Sequence, residues 1–248
     1  MLSPNDTPSA LLAGLVRSDP TRPRLTWYDD HEGATQGERI ELSGRVLANW
    51  TAKAANLLQD DLDIGPGSRV ALDLPAHWRA AYWLFAIWSV GAEAVVGGAD
   101  GSDVVITSRP SAGPVPVVAV TLAGLARAWA GDPLPSGAID EAKELATYGD
   151  RFEPWATPGA EDVALSTPEA SWTYGELVPS ARASAAELGL TAQARVMTSA
   201  GPQDAVRAWL GPWSVDGSLV LFRNDKSAED DAALERRASA ERVTHRLA

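Results

Sequence analysis

Residues 42–98 read LSGRVLANWTAKAANLLQDDLDIGPGSRVALDLPAHWRAAYWLFAIWSVGAEAVVGG, and this stretch decides the fold. Val46, Leu47, Trp50, Ala54, Leu57 and Leu58 recur at helical spacing, and Ser43 stands where a hydroxyl caps the first turn's amides. Ile64-Gly65-Pro66-Gly67 breaks that helix. The apolar run from Arg69 to Leu74 is too short for a helix and ends at Pro75, so it reads as a buried strand. A second helix then runs from His77 to about Gly91, and a second apolar strand follows it to Val96. Two short strands joined by an apolar helix imply a right-handed parallel crossover.

Working outward, Ser9 to Arg17 forms a short amphipathic helix, and Leu25 to Tyr28 alternates as a strand. The polar loop from Asp29 to Gly37 turns the chain, and Glu38 to Glu41 returns as its hairpin partner. Beyond Gly98, Asp103 to Thr107 and Val115 to Val120 are two further strands, and Thr121 to Ala130 is expected to be a helix. Gly131 to Gly159 is rich in Pro and Gly, with one helix expected at Ala138 to Tyr148, and reads as a connector. The expected division is a first lobe over 1–130 that includes the N-terminal helix and hairpin, a connector over 131–160, and a second, incomplete lobe over 161–248.

The second lobe repeats the first. Arg69-Val70 matches Arg195-Val196 at an offset of 126, and Trp88-Ser89-Val90 matches Trp213-Ser214-Val215 at 125. Upstream, Trp172-Thr173 stands where Leu42-Ser43 stands, with Thr173 and Glu176 at capping-box spacing. Duplication and convergence of similar α/β units both produce such a pattern. Asp225 to Ala248 carries dense alternating charge and reads as a solvated surface helix, followed by Glu241 to Leu247 as a strand.

The chain has 248 residues, a formal net charge of −12 and no cysteine. That length suits one large α/β domain or two small ones. The acidity argues against nucleic acid or an anionic membrane as a partner, since no basic stripe exists to release counterions. Disulfides, thiolate catalysis and cysteine metal sites are excluded. The apolar run from Ala80 to Ala92 falls short of the roughly 20 residues needed to span a bilayer, and no secretory segment opens the chain. A cytoplasmic location is the default expectation. The abundance of Arg and Ala over Lys suits a high-GC bacterial genome.

The ordered series Leu42-Ser43, Ala55-Asn56-Leu57-Leu58, Gly65 to Leu72, Leu74-Pro75-Ala76 and Val90-Gly91-Ala92 resembles the opening of the adenylate-forming superfamily, the acyl-CoA synthetases and their relatives. The chain also resembles short actinobacterial proteins whose similarity to acyl-CoA synthetases is confined to their N-terminal region. The resemblance implies two similar doubly wound, mostly parallel α/β lobes, as in a truncated large domain of an adenylate-forming enzyme. It also implies ATP or AMP as a ligand and a Gly/Ser/Thr loop of the form TSGTTGxPKG around the phosphates. In chain order that loop falls at Ser166-Thr167-Pro168-Glu169-Ala170-Ser171, where Ser166, Thr167 and Ser171 are the candidate contacts. It has no glycine and no lysine, and Glu169 brings a carboxylate toward the phosphates. Lys53, Lys143 and Lys226 lie outside any Gly-rich loop, and the family's ribose-binding aspartate, hinge and C-terminal lysine would fall beyond Ala248.

His77 follows the end of a strand, the edge where open α/β sheets place ligands; it reads either as a ligand contact or as a helix-start residue packed with Trp78. Asp73 and His77 have no third metal ligand nearby in sequence. The tryptophans at 78, 83, 88, 209 and 213 sit on apolar helices and read as core. The leading expectation is a catalytically silent relative that acts as a binding or interaction protein, with residual nucleotide or acyl-group binding as one form of it. Two alternatives stand beside it: acyl-AMP or acyl-CoA ligase activity through a reorganised site or a partner chain, and a structural subunit that self-associates.

Overall fold

The computed structural model describes residues 6–223 and 231–247. It is an α/β structure with two mostly parallel sheets and helices packed against them. Helix α1 (Pro8–Ser18) leads to the hairpin β1 (Pro23–Asp29) and β2 (Arg39–Ser43). Ser43 then caps α2 (Gly44–Asn56) by accepting the Val46 amide at 3.3 Å, and a π-helical turn at Leu57–Asp61 extends it. The central crossover follows as β3 (Arg69–Asp73), α3 (Trp78–Ser89) and β4 (Glu93–Val95).

Next come β5 (Val104–Thr107), β6 (Val117–Ala119), β7 (Ile139–Asp140) and the single-turn α4 (Glu141–Glu144). The second half runs through β8 (Val163–Ser166), β9 (Ser171–Thr173), α5 (Tyr174–Glu187) and β10 (Arg195–Thr198). A π-helical segment at Ala205–Leu210, α6 (Gly211–Ser214), β11 (Ser218–Arg223), α7 (Asp231–Ala240) and β12 (His245–Leu247) complete it. As the spacing predicts, Thr173 and Glu176 form a capping box at the start of α5.

Strand pairing crosses the expected divisions of the chain. One sheet has the order β12-β10-β11-β1-β2 and the other β7-β6-β5-β3-β4-β8-β9. The N-terminal hairpin therefore pairs with the strands of the second half, β1 lying parallel to β11, while the hairpin β8-β9 pairs with β4 of the first half. The order β5-β3-β4-β8-β9 has the same topology as β12-β10-β11-β1-β2, so each half lends its hairpin to the other's sheet.

The repeat extends to single bonds. The amide of Arg69 donates to Asp103 Oδ2 at 2.8 Å, and the amide of Arg195 donates to Thr244 Oγ1 at 2.9 Å. Both hairpins carry a bulge at the same place, between Pro23 and Leu25 and between Val163 and Leu165.

A continuous apolar core lies between the sheets. It joins Leu25 and Trp27 of β1 to Val70 and Leu72 of β3 through the side chains of α1, α2, α3 and α5. Phe85 on α3 packs against Trp213 on α6 with ring centroids 5.3 Å apart. Burying side chains of this size, each contributing about 1.5–3 kcal/mol, dominates the stability of the fold. A smaller cluster on the outer face of the five-stranded sheet holds Met197, Val220 and Phe222 under Leu234 and Ala238 of α7.

Three local expectations are corrected. Thr121 to Ala130 is not helical: the Gly124 amide is taken by the Glu38 carboxylate and the Trp129 amide by the Asp140 carboxylate, each at 2.8 Å, so these donors are satisfied by side chains from elsewhere. The helix expected at Ala138 to Tyr148 shrinks to α4 and a following 3₁₀ turn, because Ile139 and Asp140 are extended to pair with β6. The C-terminal helix is not wholly solvated, since Leu234 and Ala238 pack on the sheet. Residues 224–230, with Lys226, and Ala248 lie outside the described residues.

Candidate functional site

Parallel strands point their carboxyl ends to one edge, and the loops leaving those ends enclose space that no regular element fills. Here the carboxyl ends of both sheets face a shared crevice of about 790 Å³. The first half contributes Asp73 to Ala76 after β3, and the second contributes Ser199 and Gly201 to Gln203 after β10. These two loops are equivalent in the repeat, at the same 126-residue offset. The hairpin loop residues His31 to Thr35, Ser108 and Arg109 after β5, Leu122 after β6, and Arg223 at the end of β11 close the remaining sides.

The wall is polar. Arg223 is held by the fully buried Asp29, whose Oδ1 lies 3.2 Å from Arg223 Nε and also accepts the His31 amide at 3.0 Å. Asp73 Oδ1 accepts from Arg109 Nη2 at 2.9 Å and Oδ2 from Thr107 Oγ1 at 2.7 Å. Arg109 is otherwise solvated, with 81% of its side chain exposed. Two guanidinium groups, the hydroxyls of Ser108 and Ser199, and the Gln203 amide can together hold a small anion or a polar head group.

His77 lies beneath this crevice rather than in its wall. It is fully buried at the start of α3, where Nδ1 accepts the Arg79 amide at 3.1 Å and Nε2 meets the Leu122 carbonyl at 3.0 Å. Nε2 is therefore the protonated nitrogen of a neutral ring. Burial, reinforced by the Arg79 charge, holds its pKa well below the usual histidine value. Its edge-on contact with Trp27, centroids 4.2 Å apart, completes an apolar setting.

A buried ion pair lies next to His77, formed by Arg79, whose amide His77 accepts. Arg79 Nη1 lies 3.0 and 3.1 Å from the two oxygens of Glu141, and the Tyr82 hydroxyl also binds Glu141 Oε1. Burial outweighs the attraction of Arg79 and pushes the Glu141 carboxyl up to about 7.

Ser166, Thr167 and Ser171 fall together in the tight turn of the β8-β9 hairpin and do not line the crevice. Thr167 Oγ1 accepts the amides of Glu169 and Ala170 at 3.3 and 3.2 Å, and the Thr167 amide donates to the Ala170 carbonyl at 2.8 Å. The turn's central hydroxyl is thus engaged by the turn itself. The structure does not bring these residues together with His77.

No family model matches the chain. A protein of Mycobacterium tuberculosis (strain ATCC 25618 / H37Rv) described as a TIGR03089 family protein is 37% identical to it over 262 residues, with 100% of both chains covered. The chain belongs to the TIGR03089 family.

In this TIGR03089 family chain the residues that line the crevice escape a motif search. Arg223 reads as an ordinary strand-end arginine, and Asp29 as a hairpin residue. The available signal is the repeat: aligning Asp73 with Ser199 places two strand-end loops at one edge. Among the described residues no helix is long and apolar enough to cross a membrane.

Proposed function

We propose that this TIGR03089 family chain is a catalytically silent relative of acyl-CoA synthetases that works as a binding protein, holding a small anionic ligand in the crevice between its two sheets. The observation that carries this reading is that Arg223 and Arg109 line one crevice together with the strand-end residues Ser108 and Ser199 at the carboxyl edge of both sheets. Silence is supported by the turn from Ser166 to Ser171, which spends its Thr167 hydroxyl on its own backbone and offers no cation for a leaving pyrophosphate. His77, buried and neutral with both ring nitrogens engaged, is a poor general base.

Titration calorimetry with AMP, ATP and a non-hydrolysable acyl-adenylate tests the binding, and ATP-pyrophosphate exchange with a panel of carboxylic acids tests the silence. A saturable ligand lost in Arg223→Ala, together with no exchange above background, is the expected result. Robust ATP-dependent exchange by the lone chain would overturn the silent reading, and the absence of saturable heat with all three ligands would overturn binding of this ligand class. A ligand at about 100 times its Kd should also add roughly 2.7 kcal/mol to the stability.

A further inference from the structure

The two halves differ at one sheet edge. In the first half β5 lies between β3 and β6, inside its sheet. Its counterpart in the second half is β12, which pairs parallel with β10 as β5 pairs with β3 but, among the described residues, has no strand on its other side. The hairpin strands β2 and β9 are edges in both halves and show no such asymmetry. An open edge leaves a row of backbone donors and acceptors without strand partners and is a template for pairing with another chain.

The repeat supplies the geometry of the absent neighbour. Ala71 and Met197 stand at the 126-residue offset, and they register with Val105 and Arg246, so Arg246 occupies the place of Val105. On β5 that side of the backbone is taken up by β6: the Val105 amide donates to the Pro116 carbonyl at 3.0 Å, and the Thr107 carbonyl accepts the Val120 amide at 2.9 Å. By the same equivalence the Arg246 N–H points out of the sheet edge. Ile106 of β5 is fully buried, whereas Leu247, its counterpart, is only half-buried although it packs against the same core. Beside the edge a groove of about 290 Å³ runs between α7 and β12, lined by Glu235, Ala238, Val243 and Arg246.

We infer that the β12 edge binds an extended segment of a partner protein, which joins the five-stranded sheet as a strand parallel to β12, in the position that β6 holds in the other half. The segment is apolar and β-branched, as β6 is at Val117 and Val118, because its alternate side chains must cover Leu247 on one face and the groove beside α7 on the other. It carries a carboxylate opposite Arg246. Around the strand, the exposed Arg242 and Arg246 outnumber Glu235, which pairs with Arg246 at 2.7 Å, so the edge is net positive. The same excess disfavours a second copy of this chain as the occupant, since two β12 strands meeting across a two-fold axis would set like charges against each other.

The probe is a fluorescent peptide of residues 114–120 of this chain, the segment that contains β6, used as it stands and with Val117→Glu. Val117 registers with Val105 and would therefore face Arg246. Anisotropy titration with the full chain should show saturable binding of both peptides, about threefold tighter for the Glu form, and hydrogen exchange should slow at the β12 amides. Val118→Pro in the peptide removes a pairing amide and should abolish binding. Arg246→Pro in the protein should do the same with the melting temperature unchanged, because proline is tolerated at an edge where the N–H faces outward. Lack of saturable binding by both peptides, binding that survives Val118→Pro, or exchange protection away from β12 overturns the inference, and equal affinity of the two peptides overturns the acidic partner.

Discussion

Trp88 and Trp213 make the same hydrogen bond in the two halves of the chain. Trp88 Nε1 donates to the Ala164 carbonyl at 2.8 Å, and Trp213 Nε1 donates to the Arg24 carbonyl at 2.9 Å. Ala164 and Arg24 each precede the leucine that registers with the neighbouring parallel strand, Leu165 with Ala94 and Leu25 with Leu219. Each indole therefore fastens the hairpin borrowed from the other half onto its own layer. Both are buried, so neither carbonyl has water as an alternative partner.

Trp88→Phe and Trp213→Phe should each leave a buried carbonyl unpaired and cost at least about 1–3 kcal/mol, with lost packing adding to it. Urea unfolding followed by circular dichroism measures this. A loss below about 0.5 kcal/mol for either variant would mean the indole bond does not hold the hairpin.

Glu141 gives a pH signature. Its carboxyl titrates near 7 in the folded protein and near 4.5 when unfolded, so between those values the folded state keeps a proton that the unfolded state has released. Its favourable contribution is fully present below about pH 4.5 and is lost as pH rises through about 7. The stability of the wild type relative to Glu141→Gln should fall from pH 5 to pH 8, by up to about 3 kcal/mol. Unfolding midpoints of both proteins across that range check the sign.

His77 acts oppositely. Its folded pKa is depressed, so its contribution is present above about 6.5, the unfolded value, and is lost as pH falls below it. The imidazole resonance of His77 should show no titration step at the ordinary histidine value of about 6.5 in nuclear magnetic resonance spectra. His77→Ala removes the cap of α3 and the bond to Leu122, at a cost of about 1–3 kcal/mol.

Neighbouring glycines should respond differently. Gly97 has φ +89°, and an added Cβ would lie 2.7 Å from Pro168 Cγ, whereas Gly98 meets nothing within 4 Å. Gly97→Ala should cost about 1–3 kcal/mol and Gly98→Ala less than about 0.5, as read from melting curves.

Much of this architecture is legible residue by residue. The hydroxyls of Ser43 and Thr173 mark two helix starts, and the offset linking Arg69 to Arg195 shows that one unit occurs twice. Which sheet takes which hairpin is not legible, because both sheets offer the same kind of parallel edge and local periodicity carries no record of the partner. Helix propensity in 121–130 is likewise overridden by distant carboxylates at Glu38 and Asp140, which reach these amides only through the tertiary fold. The crevice was foreseeable only as an edge, since Asp29 and Arg223 are 194 positions apart.

The exchange of hairpins leaves the molecule without separable halves. A chain cut between residues 150 and 159 would yield two pieces, each lacking two strands of its own sheet and carrying two that belong to the other. Such pieces are clasped rather than stacked, so a nicked protein should elute from a sizing column as one particle and melt in one transition. A single ancestral unit built this way could close its sheet only by clasping a second copy of itself, and the linker between the halves is what joins such a pair into one chain.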